Sequence, residues 1–108
     1  MEMHQIRYFL AVCDESNFTR AARRCKITQP SLTNAIKRLE EELGGSLFDR
    51  RPRTRISELG HIVRPYLQEV FWAAECAERA AAAHLTSNSS SEAVDKRELA
   101  DPAGIRRC

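Results

Sequence analysis

The sequence predicts a mainly α-helical fold, with three short helices and a short β-hairpin followed by one long helix. Leu, Ala, Arg and Glu are frequent among the 108 residues, whereas Gly and Pro number four each, and this composition favours helix. Apolar residues recur at helical spacing over residues 3–14, 29–43 and 58–84, and that spacing is lost over residues 46–56. The length allows one small domain and an extension.

The boundaries of the first three helices are predicted from apolar spacing and from capping residues. Residues 3–14 carry apolar side chains at i, i+3, i+4 and i+7, which is typical of an amphipathic helix. Asn17 is suited to cap a second helix over residues 18–25. Thr28 is suited to cap a third helix over residues 29–43, which two glycines then end.

A basic hairpin and a long helix are predicted after the glycines. Residues 47–48 and 54–56 are short extended segments around an arginine-rich turn, and together they predict a hairpin within residues 46–56. Ser57 is suited to cap a helix over residues 58–84. Residues 85–108 are polar, Ser-rich and without periodicity, so we expect them to be disordered.

The charge is unevenly distributed along the chain. The formal net charge is +2, but residues 1–56 contain eleven Lys and Arg against seven Asp and Glu, a balance of +4. Residues 57–108 contain six basic against eight acidic residues, a balance of −2. The N-terminal half is therefore the better candidate for binding a polyanion, although a balance of +4 also occurs on ordinary soluble surfaces.

The third helix has two distinct faces. At about 100° per residue, one stripe is apolar and consists of Leu32, Ile36, Leu39 and Leu43. The opposite stripe lies within about 60° of Pro30 and consists of Thr33, Asn34 and Lys37. Small polar side chains let a helix approach base edges in the major groove, and a side-chain amide can bond adenine in two places. Gln29 and Asn34 supply such amides. The alternative interpretation is that this stripe is a solvated polar surface.

Two neighbouring features favour DNA binding. The second and third helices are joined by a three-residue turn, as in a helix-turn-helix motif over about residues 18–43. The hairpin that follows carries four arginines and is placed where it could reach an adjacent minor groove. A role of the arginines in solubility is the alternative, but their position after a candidate recognition helix makes it the weaker one.

Four segments resemble successive signatures of the LysR-type transcriptional regulators: QIRYFLAV, NFTRAAR, TQPSLTNAIKRLEEELGGSLFDR and SELG. The resemblance covers residues 1 to about 84 and implies a winged helix-turn-helix domain over residues 1–59 with a linker helix that pairs subunits. It also implies sequence-specific binding of promoter DNA. By position, the implied DNA contacts are Thr28, Gln29, Pro30, Ser31, Thr33, Asn34, Lys37, Arg51 and Arg53.

The long helix carries an apolar seam that predicts a homodimer. The seam consists of Leu59, Ile62, Val63, Tyr66, Val70, Ala73, Ala77 and Ala81. A helix of this length extends about 40 Å, which exceeds what the small domain can cover. Because alanines replace larger residues toward the C-terminus, we expect a dissociation constant in the micromolar range.

Three departures from the family pattern are expected to matter. Cys25 stands where the family usually carries Leu, and the hairpin is about one residue shorter, which leaves open whether Arg51 or Arg53 enters the groove. The family's effector-binding domain is absent from the sequence, so we expect constitutive, weak DNA binding without a small-molecule effector. A regulator that acts through mixed dimers with full-length relatives, and a nonfunctional gene fragment, are the alternatives.

Other classes of function find little support in the sequence. The three histidines are scattered, and no nucleophile, metal-ligand or phosphate-loop pattern occurs, so we expect neither an enzyme nor a cofactor. No apolar run approaches the ~20 residues that cross a membrane. The four cysteines show no zinc-ligand spacing and no signal peptide is evident, which predicts reduced thiols in a cytoplasmic protein.

Overall fold

The computed structural model describes residues 1–87, and within this range the chain forms four helices and one hairpin. In chain order these are α1 (Met3–Glu15), α2 (Phe18–Cys25), α3 (Gln29–Leu43), β1 (Phe48–Asp49), β2 (Arg55–Ile56) and α4 (Glu58–Thr86). The predicted mainly α fold is confirmed. Helix α4 ends two residues later than expected, and the rest of the predicted disordered tail, residues 88–108, lies outside the described residues.

The chain divides into two compact units, of which the first spans Met1–Gln68 and contains α1 to α3 and the hairpin. The second unit begins at Glu69 and, as far as residue 87, consists mainly of the C-terminal part of α4. No helix within residues 1–87 is long and apolar enough to span a membrane.

Side-chain caps begin the second and third helices, as predicted. The backbone N–H of Arg20 donates to Oδ1 of Asn17 at 2.8 Å, and that of Ser31 donates to Oγ1 of Thr28 at 3.2 Å. Each cap satisfies a first-turn amide that has no partner inside its helix. Gly44 ends α3 with a φ of 90°, a left-handed conformation that glycine adopts without steric cost.

The core of the first unit lies where α1, α2 and α3 pack together. The predicted stripe of α3 is buried at Leu32, Ile36 and Leu39, whereas Leu43 is half-buried. The ring of Phe48 in β1 lies 5.4 Å from that of Phe9 in α1. These contacts fix the rotation of α3 about its axis, because its apolar stripe must face α1 and the core.

The hairpin pairs Phe48 with Ile56 and Asp49 with Arg55 in antiparallel register. The predicted hairpin is confirmed, but both strands begin one residue later than expected and β1 ends at Asp49. Leu47 lies outside the strand: its N–H donates to the carboxylate of Glu40 at 2.8 Å, and its carbonyl oxygen accepts the N–H of Ser57 at 2.9 Å. This bond ties the base of the hairpin to the C-terminal half of α3.

Ser57 joins the start of α4 to the base of the hairpin. Its hydroxyl donates to the carbonyl oxygen of Ser46 at 2.6 Å and accepts the N–H of Gly60 at 3.0 Å, as the predicted cap requires. A Cβ atom on Gly60 would lie 2.4 Å from the carbonyl oxygen of Leu47. Leu67 is buried, although the sequence pattern did not single it out.

The cysteines differ in their environments. Cys13 and Cys25 are free thiols, and burial raises the pKa of the Cys13 thiol to about 11. A thiol with a raised pKa is a weak nucleophile at neutral pH, so Cys13 is a core residue rather than a reactive one. The predicted reduced state is found at Cys13 and Cys25.

We predict that Gly60→Ala lowers the free energy of unfolding by about 2 kcal/mol or more, since the new methyl group meets a backbone carbonyl that cannot move aside. Chemical denaturation measures the change. His61→Ala, at the exposed neighbouring position, is the matched control and is expected to change stability by less than about 0.5 kcal/mol. Equal stability of the two variants would contradict the close approach of α4 to Leu47.

Candidate nucleic-acid interface

The N-terminal half of α3 presents polar side chains to solvent. Six of the predicted contacts are exposed: Thr28, Gln29, Pro30, Ser31, Asn34 and Lys37. Lys37 forms no ion pair within residues 1–87. A helix N-terminus carries partial positive charge, and its unpaired amides are suited to an anion. The exposed end of α3 therefore offers hydrogen-bonding groups and positive charge on one surface.

Thr28 and Ser31 hold the first turn of α3 together. Oγ1 of Thr28 accepts the N–H of Ser31 and lies 2.9 Å from Oγ of Ser31, to which it donates. The Thr28 hydroxyl thereby contacts both the backbone N–H and the side chain of Ser31. The bonds restrict the rotation of both hydroxyl groups, so that part of the surface is ordered before any ligand binds.

Thr33 differs from the other predicted contacts of α3. The residue is half-buried, and its Oγ1 atom is buried without a hydrogen-bond partner among the described residues. The hydroxyl therefore does not lie at the surface with the groups of Asn34 and Lys37. In this conformation it cannot donate to an external ligand, a restriction that the helical wheel did not reveal.

The tip of the hairpin presents two arginines that are candidates for groove contact. Arg51 and Arg53 are both exposed, and neither forms an ion pair within the described part of the chain. Arg50 differs, because its guanidinium carbon lies 4.0 Å from the centre of the Phe18 ring. This cation–π contact holds Arg50 against the domain and leaves the next two arginines of the turn to solvent.

Acidic residues are absent from the part of the helix-turn-helix that precedes Glu40. Residues 16–39, from the end of α1 to the last turns of α3, contain six Lys and Arg and no Asp or Glu. Asp14 is paired with Arg24 at 3.2 Å and with Arg64 at 3.5 Å. Glu42 accepts the α-ammonium group of Met1 at 2.7 Å, which raises the pKa of that ammonium group. Residues 16–39 therefore carry a net positive formal charge, whereas the exposed Glu41 lies on the polar stripe further along α3.

One basic residue on this side was missed in the sequence. Arg38 lines a shallow depression together with Ser31 and Asn34 of α3 and with His4 and Tyr8 of α1. On the helical wheel Arg38 lies about 80° from Pro30, just outside the 60° window that defined the polar stripe. A wider window would have included it, but its neighbours on α1 depend on the tertiary fold.

The exposed side of α4 carries large apolar residues at four-residue intervals. Ile62, Tyr66 and Val70 are 57%, 72% and 45% exposed. Four-residue spacing places side chains on one face of a helix. Of the other predicted seam residues, Leu59, Val63 and Ala73 are half-buried, and Ala77 and Ala81 are exposed. Most of the seam is therefore uncovered.

Comparison with known proteins gives consistent results. Residues 3–61 match the family model described as "Bacterial regulatory helix-turn-helix protein, lysR family". The regulator BudR of Klebsiella aerogenes is 51% identical over 61 residues, which is 56% of this chain and 43% of BudR. BenM of Acinetobacter baylyi is 43% identical over 67 residues, which is 61% of this chain and 22% of BenM.

Solved structures agree with the sequence comparison. The BenM DNA-binding domain in complex with benA site 1 DNA superposes with a TM-score of 0.71 at 34% identity, covering 81% of this chain and 98% of that domain. A full-length OxyR variant from Pseudomonas aeruginosa gives a TM-score of 0.73 at 33% identity, covering 77% of this chain and 28% of OxyR.

The chain spans less than half the length of these curated relatives, namely 43% of BudR and 22% of BenM. The family model nevertheless covers more than half of the 108 residues, from α1 to the first turn of α4. The helix-turn-helix and the hairpin described above both lie within the matched segment. The chain therefore belongs to the lysR family of bacterial regulatory helix-turn-helix proteins.

Proposed function

We propose that the protein binds double-stranded DNA sequence-specifically and regulates transcription, with α3 in the major groove and the hairpin tip in the adjacent minor groove. The observation that carries the proposal is the exposed polar N-terminal half of α3, whose opposite stripe is buried in the core. The similar BenM domain was solved in complex with DNA, which supports the proposal.

The chemistry of the exposed side chains suits base recognition. The side-chain amides of Gln29 and Asn34 can each form two hydrogen bonds with adenine, by donating to N7 and accepting from the N6 amino group. Adenine is the base that presents this acceptor and donor side by side in the major groove. Pro30 offers carbon atoms to a thymine methyl group, and Lys37 can reach guanine or a phosphate. Ser31 lies beside them as a smaller donor, and Thr28 orients it by donating to its Oγ atom. We assign Thr33 to the same surface only through its carbon atoms, because its hydroxyl is buried.

We propose that residues 1–59 act as the DNA-binding domain and that residues 58–84 pair two subunits. Support for pairing comes from the exposed apolar residues of α4, because large apolar side chains at regular helical spacing are expected to be buried against a partner. A homodimer would present two copies of α3 to two half-sites. Mixed dimers with longer relatives would use the same face.

We also propose that residues 1–84 bind DNA without a small-molecule effector. The BenM DNA-binding domain was solved on DNA, and this chain matches 98% of that domain, which supports the proposal. Because the proposed ligand is chromosomal DNA, we place the protein in the bacterial cytoplasm with the nucleoid. We assign it no catalytic activity and no cofactor.

We predict that Gln29→Ala and Asn34→Ala each weaken specific binding by about 1–3 kcal/mol while nonspecific binding is retained. The reason is the loss of a base-edge contact without loss of charge. Titrations would use a duplex that the parent protein selects from a random pool, and Gln68→Ala, an exposed amide of α4, is the control. Unchanged base preference in both α3 variants would contradict the recognition-helix assignment.

Arg53→Ala is expected to weaken binding to every duplex alike and to lower the slope of log K against log salt by about one unit. The reason is the loss of a charge at the backbone or in the minor groove, which carries little sequence information. Arg51→Ala, measured in parallel, decides which arginine of the turn makes the contact. Arg24→Ala removes a charge that is paired with Asp14 and should leave the slope unchanged.

We predict that the protein is a dimer at about 100 μM and that Ile62→Asp or Tyr66→Asp makes it a monomer. A buried carboxylate without a partner opposes association strongly. Analytical ultracentrifugation distinguishes the two states, and Gln68→Asp, also exposed on α4, is expected to remain dimeric. A monomeric parent at this concentration would rule out pairing through α4.

A further inference from the structure

We propose that the depression between α1 and α3 binds the sugar–phosphate backbone of one DNA strand, with Arg38, His4 and Tyr8 as additional contacts. The inference deepens the proposed function and rests on it, since it assumes that α3 lies in the major groove. It assigns to α1 a part in binding that the polar stripe of α3 does not include.

The depression lies on one flank of the polar stripe of α3. Ser31, Asn34 and Arg38 line it, and on the helical wheel these residues lie about 40° to 100° from Pro30. Lys37 lies on the opposite flank, about 20° from Pro30 in the other direction. A helix in the major groove lies between two backbones, so its two flanks face different strands. The depression is therefore on the flank that faces one strand.

The polar lining suits a phosphate group. Arg38 is an exposed guanidinium that forms no ion pair within residues 1–87. The imidazole of His4 and the hydroxyl of Tyr8 add hydrogen-bond donors. Each of these groups can donate to a phosphate oxygen, and the pairing of guanidinium with phosphate is charge-assisted.

The α1 side of the depression is held in place by aromatic contacts. The His4 and Tyr8 rings meet edge to face, with centres 5.6 Å apart at 64°. The guanidinium carbon of Arg7 lies 5.3 Å from the centre of the Tyr8 ring and adds positive charge nearby. One turn of α1 thus presents an ordered pair of rings beside the arginine of α3, which reduces the side-chain entropy lost on binding.

The apolar part of the lining suits a deoxyribose. Ile27 and Ala35 contribute carbon atoms between the polar rims, and the ring of Tyr8 adds an apolar surface. Among residues 1–87, none of those that line the depression is acidic. The carboxylate of Glu42, one turn beyond Arg38 in α3, is paired with the α-ammonium of Met1. Charge and shape therefore both favour a polyanion with a sugar backbone over a neutral or cationic ligand.

The test is a scan in which single phosphates of a duplex selected by the parent protein are replaced by uncharged methylphosphonates. We expect one phosphate in each half-site whose replacement weakens the parent roughly tenfold but does not weaken Arg38→Ala further. Arg38→Lys should restore part of the sensitivity. Tyr8→Phe and His4→Ala should reduce the loss at the same phosphate, because each removes one donor.

Arg24→Ala is the matched control, since it removes one arginine whose guanidinium contacts Asp14 and Glu15 rather than the depression. It should respond to every methylphosphonate as the parent does. Circular dichroism of each variant establishes that the fold is retained. An equal loss at every phosphate in the parent and in Arg38→Ala would overturn the inference while leaving the proposed function intact.

Two further outcomes identify other causes. A parent protein that selects no duplex from the random pool would contradict the proposed function itself, and the inference would fall with it. Saturable shifts of the His4 and Tyr8 ring signals with inorganic phosphate, together with no phosphate-specific coupling to Arg38 in the scan, would assign the depression to a free anion and overturn its role in backbone binding.

Discussion

Burial of the apolar stripe of α3 determines which side chains of this helix face solvent. Leu32, Ile36 and Leu39 are almost completely inaccessible, and each buried side chain of this size contributes about 1.5–3 kcal/mol relative to its exposed state. Any rotation of α3 about its axis would expose these side chains. The polar stripe on the other side is consequently held toward solvent by the same contacts that stabilise the fold.

The remaining elements support α3 from different directions. Helices α1 and α2 both contact it, and the bond from Leu47 N–H to Glu40 ties it to the hairpin. The hairpin is in turn fixed by the contacts of Phe48 with Phe9 and Phe18 and by the cation–π contact of Arg50. The position of the hairpin tip relative to α3 therefore follows from core packing, although Arg51 and Arg53 themselves are exposed.

The sequence was sufficient where local rules decide the structure. Asn17 and Thr28 cap the helices that they were predicted to cap, and the two faces of α3 follow from a period of 3.6 residues. It was insufficient where distant segments meet. The buried hydroxyl of Thr33, the burial of Leu67 and the exclusion of Leu47 from β1 depend on neighbours brought together by the fold.

The depression beside Arg38 is a further example of this limit. Its two sides lie on α1 and α3, about 30 residues apart in sequence, and helical periodicity relates only residues within one helix. The same periodicity did place the apolar seam of α4, because exposure at Ile62, Tyr66 and Val70 repeats along a single helix. Surfaces within one element are thus predictable from its spacing, whereas surfaces shared between elements are not.

Methylation of bound DNA by dimethyl sulfate shows which groove each element occupies, because the reagent attacks guanine N7 in the major groove and adenine N3 in the minor groove. With the duplex selected by the parent protein, we expect protection of guanine N7 within each half-site, at α3, and of adenine N3 in the flanking segment, at the hairpin tip. Unprotected N7 positions throughout a site that the protein binds specifically would contradict a recognition role for α3.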